Sequence, residues 1–77
     1  MATHPGVVFK EEFVVPYKIV TDQICEFLDI NPYKMDSFLL GESMLTSVEF
    51  LSLSEFTQTD LTYWISMKDE WENIKQY

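Results

Sequence analysis

Apolar residues recur along most of the chain at intervals of three and four, the spacing typical of helices with one buried side. The first such segment lies between two prolines, Pro5 and Pro16, and carries Val8, Phe9 and Phe13 on one face. Because proline rarely continues a helix, the pattern predicts a first helix that ends at Pro16. The β-branched valines in this segment leave a strand open as an alternative.

A second and a third helix follow with a tight turn between them. Thr21 is a good N-cap for the segment DQICEFLDI, and Asp29 tolerates the left-handed conformation that a tight turn needs. Asn31 or Pro32 opens the next segment, PYKMDSFLL, and Gly41 closes it. The residues predicted to form the buried stripes of these two helices are Ile24, Phe27, Leu28, Met35, Phe38 and Leu39.

Two further helices complete the pattern. Thr46 and Glu49 form a capping box, Thr-x-x-Glu, at the start of a fourth helix, and Thr59 or Asp60 caps a fifth. No repeat or linker divides the 77 residues, so we expect one all-α domain over residues 1–77, with the C-terminal helix at about residues 60–76. The side chains expected to be heavily buried are Phe13, Leu28, Phe38, Leu51 and Trp64.

The second and third helices, about residues 21–40, follow the plan of a helix-turn-helix unit. The charge is unusual for such a unit: the chain has 13 acidic residues, five lysines and no arginine, for a net charge of −8. Between residues 20 and 50 the local charge is −5, and Lys34 is the only base. DNA-binding domains normally present a basic face to the phosphates, so this balance favours either a solvated acidic surface or a basic partner.

No pattern typical of a catalytic, metal or cofactor site occurs in the sequence. Glu11 and Glu12 are adjacent, so a helix points them about 100° apart, and His4 is the only histidine. Cys25 has no activating base nearby and no second cysteine to pair with, which predicts a structural thiol in a reducing compartment. We therefore expect a cytoplasmic protein that is not an enzyme, with no metal, no cofactor, no secretion signal and no membrane span.

Several motifs together resemble those of the HigA-type antitoxins, a branch of the Xre/Cro-like helix-turn-helix proteins. The His-Pro-Gly at residues 4–6 begins the match, which runs without a gap to about residue 71. Its other members are Glu11, Glu12, Phe13, Pro16, Gly41, Thr46, Thr59 and Trp64. The resemblance implies a five-helix, lambda-repressor-like domain that neutralises a small basic toxin and binds operator DNA. The DNA-contacting positions that it implies are Thr21, Tyr33, Lys34 and Ser37.

The chain departs from the family where the family reads DNA. The family's third helix is rich in Arg, Gln, Ser and Asn and is followed by Gly-Lys-Arg; here Gly41 is followed by Glu42 and Ser43. Asp36 would face the negative potential of a DNA groove, whereas Tyr33 and Leu40 suit a protein contact better. Operator binding by this chain alone is therefore the less expected activity.

The C-terminal helix carries a heptad-like stripe that is either core or a homodimer seam. The members of the stripe are Trp64, Met67, Trp71 and Ile74. Together with Leu40 they form the predicted dimer or partner interface.

The sequence leaves two functions open. The first is a HigA-like antitoxin and transcriptional regulator that binds a basic toxin, with operator DNA bound by a dimer. The alternative is an acidic interaction module, a nucleic-acid mimic or mobile-element regulator, on a helix-turn-helix scaffold that no longer binds DNA.

Overall fold

The computed structural model describes residues 3–75, and within that range the chain is helical with no strand. The first helix is α1, Pro5–Phe9, which continues as a π-helical segment, Lys10–Val14. The others are α2 (Thr21–Leu28), α3 (Pro32–Leu39), α4 (Ser47–Thr57) and α5 (Leu61–Lys75). The predicted five-helix architecture is confirmed; the predicted end of the last helix, at residue 76, lies outside the described residues.

Caps at the helix ends follow the sequence signals closely. The Asn31 Oδ1 atom accepts a hydrogen bond from the Tyr33 N–H at 2.7 Å, and Pro32 occupies the first position of α3. The capping box of Thr46 and Glu49 at the start of α4 is present in both directions. Asp60, one of the two predicted candidates, caps α5. These local contacts satisfy backbone N–H groups that a helix start leaves without partners.

The prediction that Thr21 is the N-cap of α2 is wrong. Val20 holds that position in an extended conformation and makes no side-chain cap, while Thr21 is already the first helical residue. The predicted turn after α2 is confirmed, because Asp29 adopts the left-handed conformation with φ 56°. Gly41 also closes α3 as expected, with φ +79° and its N–H donating to the Phe38 carbonyl.

One hydrophobic core gathers side chains from all five helices around Trp64. The indole ring of Trp64 lies 6.1 Å from the Phe9 ring and 6.3 Å from the Phe50 ring, measured between centroids. Of the side chains expected to be heavily buried, Leu28, Phe38 and Trp64 are buried, and Phe13 is only half-buried.

The prediction that Leu51 is buried is wrong. Its side chain is 47% exposed, because Phe50 and Leu53 turn inward and the helical rotation directs Leu51 to the other side of α4. Phe27, assigned to the buried stripe of α2, is likewise exposed and contacts only the ring of Phe56 among the aromatic side chains described. The apolar pattern thus overestimates the core at these two positions, which leaves apolar surface on the outside of α2 and α4.

Candidate partner-binding surface on the helix-turn-helix unit

The position of α3 is determined by its contact with the start of α1. A Cβ atom at Gly6 would overlap the carbonyl oxygen of Phe38, so only glycine permits the two helices to approach this closely. The buried ring of His4 caps α1 by accepting the Gly6 N–H at 2.9 Å through Nδ1, and it packs against the Phe38 ring at 5.6 Å. Met35 and Phe38 are fully buried on the inner side of the helix. The helix is therefore held in place by the protein itself, without any ligand.

The outer side of α3 carries the side chains that would meet a partner. Tyr33 is 82% exposed, and Asp36 and Leu40 are also exposed. Two of the other predicted DNA-contacting residues, Thr21 and Ser37, are half-buried. The outer side of this helix thus presents an aromatic ring, an aliphatic side chain and a carboxylate.

Lys34, the only base of the helix-turn-helix unit, forms an ion pair within the protein. Its Nζ atom donates to both carboxylate oxygens of Glu49, at 2.8 and 2.9 Å. The Glu49 side chain is only 17% exposed, so water screens the pair incompletely. The charge of Lys34 is consequently neutralised by a contact between α3 and the start of α4.

Glu49 has three simultaneous contacts. Its Oε1 atom accepts the backbone N–H of Thr46 at 2.8 Å in the capping box, and both oxygens accept from Lys34. Burial raises the pKa of the Glu49 carboxyl, but the hydrogen bonds from Lys34 and Thr46 and the Lys34 charge outweigh it, so the pKa lies below its ordinary value. The carboxylate is therefore charged at neutral pH and holds Lys34 firmly.

Sequence reasoning missed this ion pair, although it identified both residues. Lys34 was assigned to DNA and Glu49 to the cap of α4, and no helical spacing connects residues that are 15 apart. The contact exists because the chain reverses direction between α3 and α4. A charge count offers a partial signal, since one lysine among six acids in residues 20–50 has many possible partners.

The predicted seam on α5 does not lie on one exposed side. Trp64 is fully buried, so assigning it to a dimer or partner interface is wrong: a side chain already enclosed by its own core has no surface to offer. Met67 and Trp71 are half-buried, and the Trp71 ring packs edge-on against His4 at 5.2 Å. Ile74 remains exposed. The stripe thus belongs mainly to the core at its start and reaches the surface only near its end.

Other chemistry-bearing groups give no alternative site within the described residues. Burial raises the pKa of the Cys25 thiol, and the charges of Asp22 and Asp36 raise it further, so the sulfur stays protonated and unreactive. Residues 3–75 bring no three His, Cys, Asp or Glu side chains together in a way that would hold a metal ion. In the same range, no helix combines the length and apolar character that crossing a membrane requires.

The fold of this chain is similar to that of several solved structures. A Pseudomonas aeruginosa protein in complex with its 28-base-pair operator DNA matches 100% of this chain and 85% of its own, at 16% identity and a TM-score of 0.89. The P. aeruginosa antitoxin HigA with the higBA promoter matches equally well, with 84% of its chain covered, 16% identity and a TM-score of 0.89.

An addiction module antidote protein of the HigA family from Coxiella burnetii is 25% identical, with 92% of this chain and 77% of that one covered and a TM-score of 0.79. Neither the family models nor the curated proteins include a match to the sequence. The resemblance inferred from the sequence motifs is thus supported by structure: the chain has the five-helix helix-turn-helix fold of the HigA-type antitoxins.

Proposed function

We propose that this chain is a HigA-like antitoxin and transcriptional regulator of the cytoplasm, whose first partner is a small basic toxin. It binds and neutralises that protein, and operator DNA is contacted by the complex rather than by this chain alone. The fold shared with HigA proteins and the net charge of −8 support the assignment. Opposite charge steers association between two proteins and selects a basic partner over an acidic one.

The ion pair between Lys34 and Glu49 is the observation that carries the proposal. Protein–DNA affinity depends largely on cations that neutralise phosphates and release counterions. Lys34 is the only cation of residues 20–50, and Glu49 holds it at 2.8 Å. To contact a phosphate it would have to leave a partly buried carboxylate. The helix that reads DNA in related folds, α3, therefore offers no free positive charge of its own here.

DNA remains in the proposal as a second partner because of the fold. A similar P. aeruginosa protein is bound to its operator, and Ser37 and Tyr33 carry hydroxyl groups that can contact base edges. Base contacts need phosphate contacts to position them, and a basic partner would supply those. We accordingly expect the complex, and not the isolated chain, to repress its own operon.

The same charge distribution favours a second candidate function, an acidic interaction module that mimics nucleic acid. Asp36, on α3, and Glu42, shortly after it, are both exposed at positions where a DNA-binding relative would be basic. A chain of this kind would bind a nucleic-acid-binding protein in place of its substrate. The two candidates share a basic partner and differ in whether the complex binds operator DNA.

Two linked measurements test the proposal. The chain is co-purified from its native host, the bound protein is identified, and both are titrated separately and together against the DNA upstream of the gene at about 50 mM salt, where phosphate-driven binding is strongest. We expect a basic toxin in the complex, and operator binding only when it is present. Capture of a basic protein whose complex ignores the operator would favour the acidic module.

Titration of the isolated chain against operator DNA tests the same proposal from the other direction. Specific operator binding tighter than about 100 nM, lost in Lys34→Ala or Ser37→Ala, would overturn the claim that this helix is a poor reader by itself. In that case Lys34 exchanges Glu49 for phosphate at little cost.

Homodimerisation is part of the proposal at the exposed end of α5, where Ile74 is available. A two-fold contact uses the same side chains on both copies, so one substitution removes it twice. Light scattering of the wild type and of Ile74→Glu at high micromolar concentration tests the seam. A wild type that stays monomeric would restrict the stripe to the core.

A further inference from the structure

A groove lined mainly by aromatic and aliphatic side chains lies between the end of the first helix and the end of α4. Its volume is about 390 Å³. The residues that line this aromatic groove are Phe13, Tyr17, Ile19, Phe56, Thr57 and Gln58. None of them belongs to the outer side of α3, so the aromatic groove is a surface distinct from the DNA-reading position.

The apolar side chains of the groove form a continuous strip with their neighbours. The Tyr17 ring, 72% exposed, stacks on the Phe13 ring at a centroid distance of 6.3 Å. On the other wall, the Phe56 ring contacts Phe27 at 5.3 Å, and Phe27 is 51% exposed. Single exposed apolar residues are ordinary, but neighbouring exposed aromatic rings are typical of surfaces that bind another molecule.

The groove is already formed in the free protein. The Tyr17 N–H donates to the Phe13 carbonyl at 3.1 Å, and the Ile19 N–H donates to the Val14 carbonyl at 3.0 Å, which fixes the turn that carries Tyr17. The Phe13 ring rests on the buried Trp64 ring at 6.0 Å, so one wall is anchored to the core. A ligand would therefore bind without first ordering these residues, which preserves affinity.

Charge identifies the kind of occupant. Residues 13–29 and 50–58, the segments that supply or flank the groove, contain four acidic residues and one base, Lys18. Two of these acids, Glu26 and Glu55, are exposed and directly precede Phe27 and Phe56. A second copy of the chain would bring its own Glu26 and Glu55 against the same two acids across this surface, so self-association through the groove is disfavoured. A positively charged, amphipathic segment fits both the rings and their flanks.

We propose that the aromatic groove is the docking site for a basic amphipathic segment of the partner protein. An aromatic or leucine side chain of that segment inserts between Tyr17 and Phe56, and flanking lysines or arginines face Glu26 and Glu55. This inference rests on the proposed function, because the partner is the same basic protein. It adds that the partner docks away from α3, which leaves the outer side of α3 open while the complex exists.

A pair of matched substitutions tests the docking site. Tyr17→Lys and Tyr33→Lys make the same chemical change at two exposed tyrosines, one in the groove and one on α3. Each variant and the wild type are titrated calorimetrically with the separately purified basic protein identified by co-purification. We expect Tyr17→Lys to weaken binding about tenfold or more and Tyr33→Lys to stay within about threefold, since central interface aromatics contribute most of the affinity.

A second variant, Phe27→Lys, changes a ring that contacts the groove residue Phe56 and guards against a local effect of Tyr17→Lys, and circular dichroism verifies that each variant is folded. Unchanged binding by both Tyr17→Lys and Phe27→Lys, or a loss confined to Tyr33→Lys, overturns the docking site while the proposed function stands. A native host that yields no basic protein overturns the proposed function, and the docking site with it.

Discussion

The inner and outer sides of α3, taken with its C-cap Leu40, face different surroundings: the protein core on one side and mainly solvent on the other. On the inner side, Met35 and Phe38 are fully buried, and the Phe38 carbonyl touches Gly6 so closely that a methyl group would not fit. On the outer side, Tyr33 and Leu40 are exposed and Lys34 is paired with Glu49. The shape of the helix is thus set by the core, while its outer surface offers no cation other than the paired Lys34.

The residues that hold α3 in place are therefore different from the residues that a partner would meet. Almost any substitution on the inner side lowers the stability of the fold, because each buried side chain touches many others. Tyr33 and Leu40 on the outer side face mainly solvent, so substitutions there are expected to change stability little. Four substitutions test the comparison, from the largest expected effect on stability to the smallest.

Phe38→Ala should have the largest effect. It removes a fully buried ring that contacts the rings of His4 and Phe50, and we expect the free energy of unfolding to fall by about 3–5 kcal/mol. Urea denaturation followed by circular dichroism measures the loss. Phe27→Ala, at a 51% exposed phenylalanine, is the matched control and should cost less than about 1 kcal/mol. Equal losses would contradict the inner position of Phe38.

Gly6→Ala should come second. The added methyl group must push α1 away from the backbone of α3, which we expect to cost about 2–3 kcal/mol. Gly41→Ala is the control: its cost is strain at φ +79°, while the nearest atom to its Cβ is a Val7 methyl at 3.4 Å. Thermal melts compare the two. A near-neutral Gly6→Ala would show that the contact between α1 and α3 yields easily.

Glu49→Gln should have an intermediate effect that depends on pH. Because the folded-state pKa of Glu49 is lowered, its stabilisation is present above the unfolded pKa of about 4.3 and is lost as the pH falls through the folded value. We expect the variant to be about 1 kcal/mol less stable than the wild type at pH 7 and equally stable near pH 2. Denaturation curves across this range measure the difference.

Glu55→Gln is the control for Glu49→Gln, since it removes the same charge from an exposed position on the same helix. We expect it to cost less stability than Glu49→Gln at pH 7, because the Glu55 side chain is exposed. The same two variants test whether Lys34 is available to DNA. Only Glu49→Gln frees Lys34, so only that variant should steepen the dependence of log affinity for DNA on log salt concentration, by about one unit of slope. Equal slopes in the two variants would mean that Lys34 is already available.

Tyr33→Ala should have the smallest effect on stability. The ring is 82% exposed, so we expect the free energy of unfolding to change by less than about 0.5 kcal/mol in either direction. Chemical denaturation of Tyr33→Ala and Phe38→Ala in the same experiment measures the smallest and the largest expected change in the free energy of unfolding. A loss above about 1 kcal/mol would reveal a packing role on the outer side and would weaken the distinction between the two sides.

Local signals in the sequence determined most of the fold. Three local features act through hydrogen bonds or torsion preferences within a few residues: the capping box at Thr46, the asparagine cap at Asn31 and the glycine at Gly41. Each can therefore be predicted from the sequence without the tertiary structure. The helical spacing of apolar residues also located Phe38 and Trp64 in the core. Periodicity failed at Leu51 because α4 has apolar residues on several sides, so the spacing does not show which side is covered. It failed at Phe27 because this residue lies at one edge of the apolar stripe of α2, beyond the buried Ile24 and Leu28.

The site depended far more on contacts between distant segments. The sequence determined that residues 20–50 are acidic and that Lys34 is their only base, and it named the outer residues of α3. Only the tertiary structure decided that Lys34 is neutralised by Glu49, that Trp64 is enclosed, and that Phe13 and Phe56 line one groove. The physical reason is range: caps and turns are local interactions, whereas an ion pair or groove forms only where chain reversal brings remote residues within a few ångströms.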